Sequence, residues 1–278
     1  MNDPAPSVGT LLRTWRRRRH LSQLDLASEA EISQRHLSFV ESGRSVPSRD
    51  MVLRLAEHLA IPLREQNALL VAAGHAPAYR ERPLDAPGLE AARRAVELIL
   101  QGHEPHPALA VDRHWTLIAA NRAVPHLLAG VAAPLLRPPV NVLRLSLHPD
   151  GVAPRIRNFR EWRAHVIGRL VQQIDNSADR VLIALLDELK SYPVPPGARP
   201  FHPSGQAALA GIAVPLELAV DNGTLSFLST TTVFGTALDL SLSELAIESF
   251  FPADEVTADA MRRLQTTASA DPQAVSAP

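Results

Sequence analysis

The sequence predicts two domains of different class: an all-α domain of five helices, followed by a mixed α/β domain. Three observations carry this. From residue 7 to about residue 73, apolar residues recur at helical spacing between serine and proline breaks. Residues 75–88 then hold three prolines and no period, which marks a linker. Further on, Ile212, Val214, Leu216, Leu218 and Val220 occupy every second position, the pattern of a half-buried strand. A chain of 278 residues is long enough for about two domains.

The helical elements come in order. Ser7 caps a helix with Val8, Leu12 and Trp15 on one face. Ser22 caps the second, and Asp25 three residues on completes a capping-box pattern. Ser33 caps a third, with Leu37 and Val40 inward and a stop at Ser42-Gly43. Pro47-Ser48 opens the fourth, where Val52, Leu55, Ala56 and Leu59 repeat at 3–4 spacing, and Pro62 begins a fifth that ends near Gly74.

A sixth helix is expected from Leu89 to about Gln101, then short strands at Ala108–Val111 and Trp115–Ala119 around an Asp112-Arg113 turn, with Asn121 capping the next helix. Residues 134–139 and 193–205 are proline-rich loops flanking helices at about 158–175 and 179–190. Asp221-Asn222-Gly223 is a hairpin turn returning into Thr224–Val233, and a further strand covers about 245–251. The expected boundaries are 1–74, a linker at 75–88, a second domain at 89–265 and a disordered tail at 266–278.

Composition narrows the classes. The 46% hydrophobic content supplies buried cores, and no run reaches the roughly 18 apolar residues that span a bilayer. The first ten residues lack the basic start and apolar stretch of a secretory signal, so a cytoplasmic location without membrane attachment is expected. The absence of cysteine excludes disulfides, thiol catalysis and cysteine-based zinc sites. Residues 1–82 carry 12 Arg against 9 acidic residues, a balance of +3, and the remainder carries 16 basic against 20 acidic, a balance of −4. Positive charge is nearly all guanidinium, since Lys190 is the one lysine. Arginine suits phosphate and guanine edges through its bidentate fork.

Leu21-Ser22-Gln23 through Gly43-Arg44, then Pro47-Ser48, resembles the helix-turn-helix of the phage-repressor-like (XRE) regulators, a lambda-repressor-like domain. The resemblance implies that the third helix enters the major groove of double-stranded DNA, with Gln34, Arg35 and Ser38 at base edges. Gln23, Arg44, Ser48 and Arg49 would contact phosphates. Arg16 and Glu41 match positions that form a structural ion pair in that family. Glu31 departs from the pattern, because glycine is usual at that left-handed turn and a side chain there costs about 1–2 kcal/mol.

Residues 89 to about 262 resemble the MmyB-like regulators' ligand-binding domain, a PAS-like fold. The segments that carry this are Trp115–Asn121, Leu147–Gly151, Arg157-Asn158-Phe159 with Trp162, Phe234–Asp239 and Glu248–Asp254. The resemblance implies a cavity between sheet and helices holding an apolar small molecule, with a fatty-acid-like acyl chain among the candidates. Trp162, Phe227 and Phe234 are candidates for its apolar wall, and Arg144, His148 and Asn158 for orienting a polar head. Each has a plainer role open to it: core packing for Trp162 and Phe227, a helix cap for Asn158, a turn for His148 before Pro149.

Catalytic patterns are missing: no glycine-rich phosphate loop, nucleophile elbow or paired carboxylates. His103, Glu104 and His106 lie among prolines without a third ligand at metal spacing. The expectation is therefore a ligand-responsive, sequence-specific DNA-binding regulator, not an enzyme, without cofactor or metal, acting as a homodimer on a two-fold operator. The alternative is a protein-interaction adaptor whose helical domain binds a protein partner.

Overall fold

Elements α1 (Val8–Arg18), α2 (Gln23–Glu29), α3 (Gln34–Glu41), α4 (Arg49–His58) and α5 (Leu63–Ala72) succeed one another where periodicity and capping residues put them. The computed structural model describes residues 6–82, 86–87, 89–200, 214–221, 223–234 and 239–270. The chain divides into two compact units, one of residues 1–82 with 172–179 and 238–240, the other of the remaining residues.

In the helical unit, Ser7, Ser22, Ser33 and Ser48 each accept a hydrogen bond from the backbone N–H three residues on. Such a cap contributes about 1 kcal/mol by satisfying a donor that the helix itself leaves unpaired. Ser22 and Asp25 close the full reciprocal box. Leu12, Leu26, Leu37, Val40, Val52, Leu55, Leu59 and Leu70 are fully buried and make one core. Burying each such side chain contributes about 1.5–3 kcal/mol.

Two backbone features shape the middle of this unit. Gly9 is buried where α1 crosses α3, and a Cβ there would sit 2.3 Å from the Val40 carbonyl oxygen. Glu31, between α2 and α3, has φ +54°, so the turn keeps its left-handed residue without glycine. The segment after α5 is held on it as far as Glu81. Asn67 acts as a backbone stand-in, accepting from the Ala78 and Tyr79 N–H groups and donating to the Tyr79 carbonyl. Arg64 grips Glu81 with two bonds of 2.7 Å.

The second unit contains α6 (Glu90–Gly102), β1 (Ala108–Val111), β2 (Leu117–Ala120), α7 (Val124–Leu127), α8 (Val142–Leu147), α9 (Phe159–Ser177, whose last turns belong to the first unit), α10 (Arg180–Ser191), β3 (Leu216–Val220), β4 (Gly223–Val233), α11 (Leu240–Ser243, whose first residue belongs to the first unit), β5 (Ala246–Pro252) and α12 (Glu255–Ala270). The strands form one antiparallel sheet in the order β2-β1-β5-β4-β3. The last strand thus lies between the first hairpin and the second.

Alternation along the strands assigns the two faces. Ala108, Ala110 and Ile247 pack with Val96 and Leu100 of α6. Their neighbours Leu109, Glu248 and Phe250 face the other way, toward α7, α8 and α9.

Several boundaries differ from the sequence expectation for physical reasons. Trp115 lies in the turn and not in a strand, with φ +66°. Asp112 Oδ1 accepts from the N–H groups of His114 and Thr116, both at 2.8 Å, and so holds a turn two residues longer than expected, with β2 starting at Leu117. Asn121 is not the cap expected of it, since α7 has Ala123 at its N-cap; it is buried and stitches the strand start to the preceding loop and helix, accepting from the Ala108 N–H and donating to the carbonyls of Leu100 and His106. Helix α12 continues to Ala270, with the Thr266 hydroxyl donating to the Arg262 and Arg263 carbonyls. The expected strand start at 212–213 and the tail at 271–278 lie outside the described residues.

Candidate functional site

The N-terminal end of α3 presents Gln34 and Arg35 exposed, with Ser38 one turn on and half-buried. The opposite side of the same helix, through Leu37 and Val40, is sealed in the core. Phe39, which the sequence pattern did not single out, is half-buried beside this surface and organises its cations. The Arg35 guanidinium lies 5.3 Å and that of Arg44 5.8 Å from its ring centroid. Such stacking restrains long side chains while leaving their N–H edges outward. Arg44, Ser48 and Arg49 are exposed beyond it, and the Ser48 hydroxyl is engaged as the cap of α4. The signal for Phe39 was its place one turn after Arg35 and five residues before Arg44.

Behind this surface Glu41 is 3% exposed and surrounded by donors. Arg16 donates to its two carboxylate oxygens at 2.6 and 2.9 Å, Gln23 Nε2 adds a bond of 2.8 Å, and Arg13 donates to its backbone carbonyl at 2.7 Å. Arg16 also donates to the Leu21 carbonyl. Burial opposes the charge on Glu41, but the hydrogen bonds from Arg16 and Gln23 outweigh it and hold its carboxyl below the usual range. The bond to Glu41 raises the Arg16 pKa in turn. One amide hydrogen of Gln23 is therefore committed to this network.

The second unit holds a cavity of about 110 Å³. That is of the order of the ~150 Å³ apolar cavities that take up a benzene-sized molecule. Its wall comes from the sheet (Leu109, Leu117, Leu216, Leu218, Phe250), from the α7 and α8 region, and from Trp162 and Val166 of α9. Nearly all of it is apolar. The polar exceptions are Ser146, Arg169 and Glu248, with the indole of Trp115 beside them.

Of the residues expected at the ligand, the structure brings Trp162 to the wall, where its Nε1 donates to Ser146 Oγ at 2.8 Å. The others stand outside the lining. Arg144 is bound two-pronged to Glu188 at 2.7 Å, and Glu188 also takes the Tyr192 hydroxyl. His148 Nδ1 accepts from the Asp150 N–H, closing a turn, with its ring edge-on to Tyr192. Asn158 fastens the start of α9 to β3 by donating to the Pro215 carbonyl and accepting from the Glu217 N–H. Phe227 is fully buried and edge-on to Phe250. Phe234 packs against the α6 side of the sheet.

The cavity's own polar group is the pair Arg169–Glu248. Arg169 Nη2 donates to Glu248 Oε1 at 2.6 Å and Nη1 to Oε2 at 3.1 Å, while Thr231 joins both partners at 2.6 Å. The guanidinium lies 5.1 Å from the Trp115 ring centroid. A signal for both was present: Arg169 falls three residues after Val166 and seven after Trp162 on the inward face, and Glu248 shares its strand face with Phe250. His165, next to Trp162, has its pKa lowered first by burial and then by Arg169.

Among the described residues no group of three or more His, Asp or Glu is arranged for a metal, and no helix is long and apolar enough to cross a membrane. Comparison with known proteins bears on both units. Residues 7–69 match a family model for a helix-turn-helix domain, and residues 92–264 match that of the MmyB-like transcription regulator ligand binding domain. No curated protein matches the chain. A solved structure of an RNA-binding light-oxygen-voltage receptor aligns with 94% of this chain and 63% of its own length, at 15% identity and a TM-score of 0.26.

Proposed function

This chain belongs to the MmyB-like transcription regulators, a DNA-binding regulator with a helix-turn-helix domain ahead of a ligand-binding domain, and we propose how its residues divide the work. Gln34, Arg35 and Ser38 read base edges in the major groove, where glutamine suits adenine and arginine suits guanine. Arg44, Arg49 and the amide end of α4 at Ser48 hold phosphates, and Gln23 reaches one with its second amide hydrogen. The observation that carries this reading is the exposed N-terminal end of α3 over a base locked by Arg16–Glu41. A reading helix must be rigid to discriminate bases.

One such helix spans too few base pairs to single out an operator, so the acting form is a homodimer on two half-sites about one turn of duplex apart. The effector is an apolar small molecule, with a fatty-acid-like acyl chain among the candidates, in the cavity walled by Trp162 and Phe250. It shifts operator affinity by preferring one of two states of the chain, a coupling of about 1–3 kcal/mol that must run in both directions.

The test is a titration of the full chain against panels of duplexes at several salt concentrations, repeated with the compound recovered from the purified protein. Sequence preference, paired half-site protection and a compound-dependent shift are expected. Equal affinity for all sequences would sink the DNA reading, and a single protected half-site with a monomer in the ultracentrifuge would sink the dimer.

A further inference from the structure

We propose that Phe39 recognises the C5-methyl group of a thymine in the base pair next to the guanine that Arg35 takes. The inference rests on the reading of α3 as the helix in the major groove, and it concerns which further base that helix selects.

Phe39 is not a core residue. Leu37 and Val40 of the same helix are fully buried, whereas Phe39 is half-buried and stands outside the hydrophobic core of the helical unit. Its ring lies instead against the guanidinium groups of Arg35 and Arg44, 5.3 and 5.8 Å from the centroid. Its carbonyl accepts from the Arg44 and Ser45 N–H groups at 2.8 and 3.2 Å, which ties the residue to the turn after α3. An apolar ring is thus held in a surface otherwise made of Gln34, Arg35, Ser38 and Arg44.

An aromatic side chain on a helix leans toward the N-terminus, over the residue one turn before it. For Phe39 that residue is Arg35, so the ring lies toward the end of α3 that meets base edges. Successive bases of a strand stand about 3.4 Å apart along the duplex. With the Arg35 guanidinium on a guanine, a ring centred 5.3 Å away reaches the same base pair or the next one. Guanine and its cytosine carry no methyl group, so the contact falls on the neighbouring pair. The thymine methyl is the apolar group that the bases offer in the major groove. Against cytosine or adenine the ring would cover an amino donor without accepting from it, which leaves a desolvated polar group.

The test uses the full chain and a duplex selected from a random library by binding to it. Each thymine is replaced in turn by deoxyuracil, which removes the methyl group and keeps the pairing. Beside the guanine whose preference Arg35→Ala removes, this replacement is expected to weaken binding about three- to fivefold, the worth of one buried methyl group. Cytosine and 5-methylcytosine at that position should differ by the same factor. Phe39→Ser should bring both ratios to about one, while Phe39→Leu, which keeps an apolar contact, should retain most of them. If Phe39→Ser fails to fold, the two ratios measured on the parent decide alone. Ratios near one in the parent, with Arg35→Ala still removing the guanine preference, would overturn the role of Phe39 and leave α3 as the reader. Ratios unchanged in Phe39→Ser would also overturn it, by assigning the methyl group to another residue. A duplex with no guanine preference dependent on Arg35 would overturn the reading of α3 and this inference with it.

Discussion

Arg16 on α1 and Glu41 at the end of α3 meet as a two-pronged ion pair of 2.6 and 2.9 Å, with both side chains nearly excluded from solvent. The pair fixes the helix that carries Gln34 and Arg35 to the first helix of the unit.

Glu41→Ala is expected to destabilise the helical unit by about 3–5 kcal/mol, because Arg16 is left buried without its counter-charge. The folded carboxyl titrates below its ordinary value. Its contribution is therefore full above the ordinary carboxylate range, about pH 4.3, and is lost as pH falls through the folded pKa. Thermal unfolding of the full chain across acidic pH checks this. Glu41→Gln should flatten the decline, and an unaltered decline would mean that other carboxylates control it.

Substitutions on the exposed surface should separate into two kinds. Gln34→Ala and Arg35→Ala should each cost about 1–3 kcal/mol and relax preference at particular operator positions. Arg44→Ala should weaken binding to every duplex and reduce the salt slope by about one. Uniform losses for the first two, seen in titrations over a duplex panel, would remove α3 from the role of reader.

Gly9→Ala should destabilise the unit by about 1–3 kcal/mol or more, since the new methyl group meets the Val40 carbonyl oxygen and the Glu41 backbone. Operator affinity should fall with it, because α3 must move to make room. A midpoint within error of the parent's would show that α1 and α3 separate without cost.

Glu31→Gly should act in the opposite direction. The residue sits at φ +54°, where a side chain costs about 1–2 kcal/mol, partly offset by the extra freedom glycine has when unfolded. A net gain of about 0.5–1 kcal/mol in the same unfolding experiment is expected, with operator preference unchanged. A lowered midpoint would mean that the Glu31 side chain contributes more than its backbone strain removes.

The helices and strands were largely legible in the sequence because their causes are local. A serine cap acts on an N–H three residues away, as at Ser22 and Asp25, and apolar spacing of 3.6 or 2 declares helix or strand within a dozen residues. The exposure of Gln34 and Arg35 results from the same periodicity, since burying Leu37 and Val40 turns them outward. Apart from Arg16–Glu41, which the family resemblance anticipated, the tertiary structure decided which distant groups meet. Gly9 matters only because α1 crosses α3 at Val40. Arg144 looked available until α10 brought Glu188 to it, and Arg169 became the cavity's polar group because β5, inserted between β1 and β4, sets Glu248 beside it from 79 residues away. A polar side chain settles wherever its charge or hydrogen bonds are best answered, and those partners are chosen by sheet order and helix packing, which no local pattern encodes.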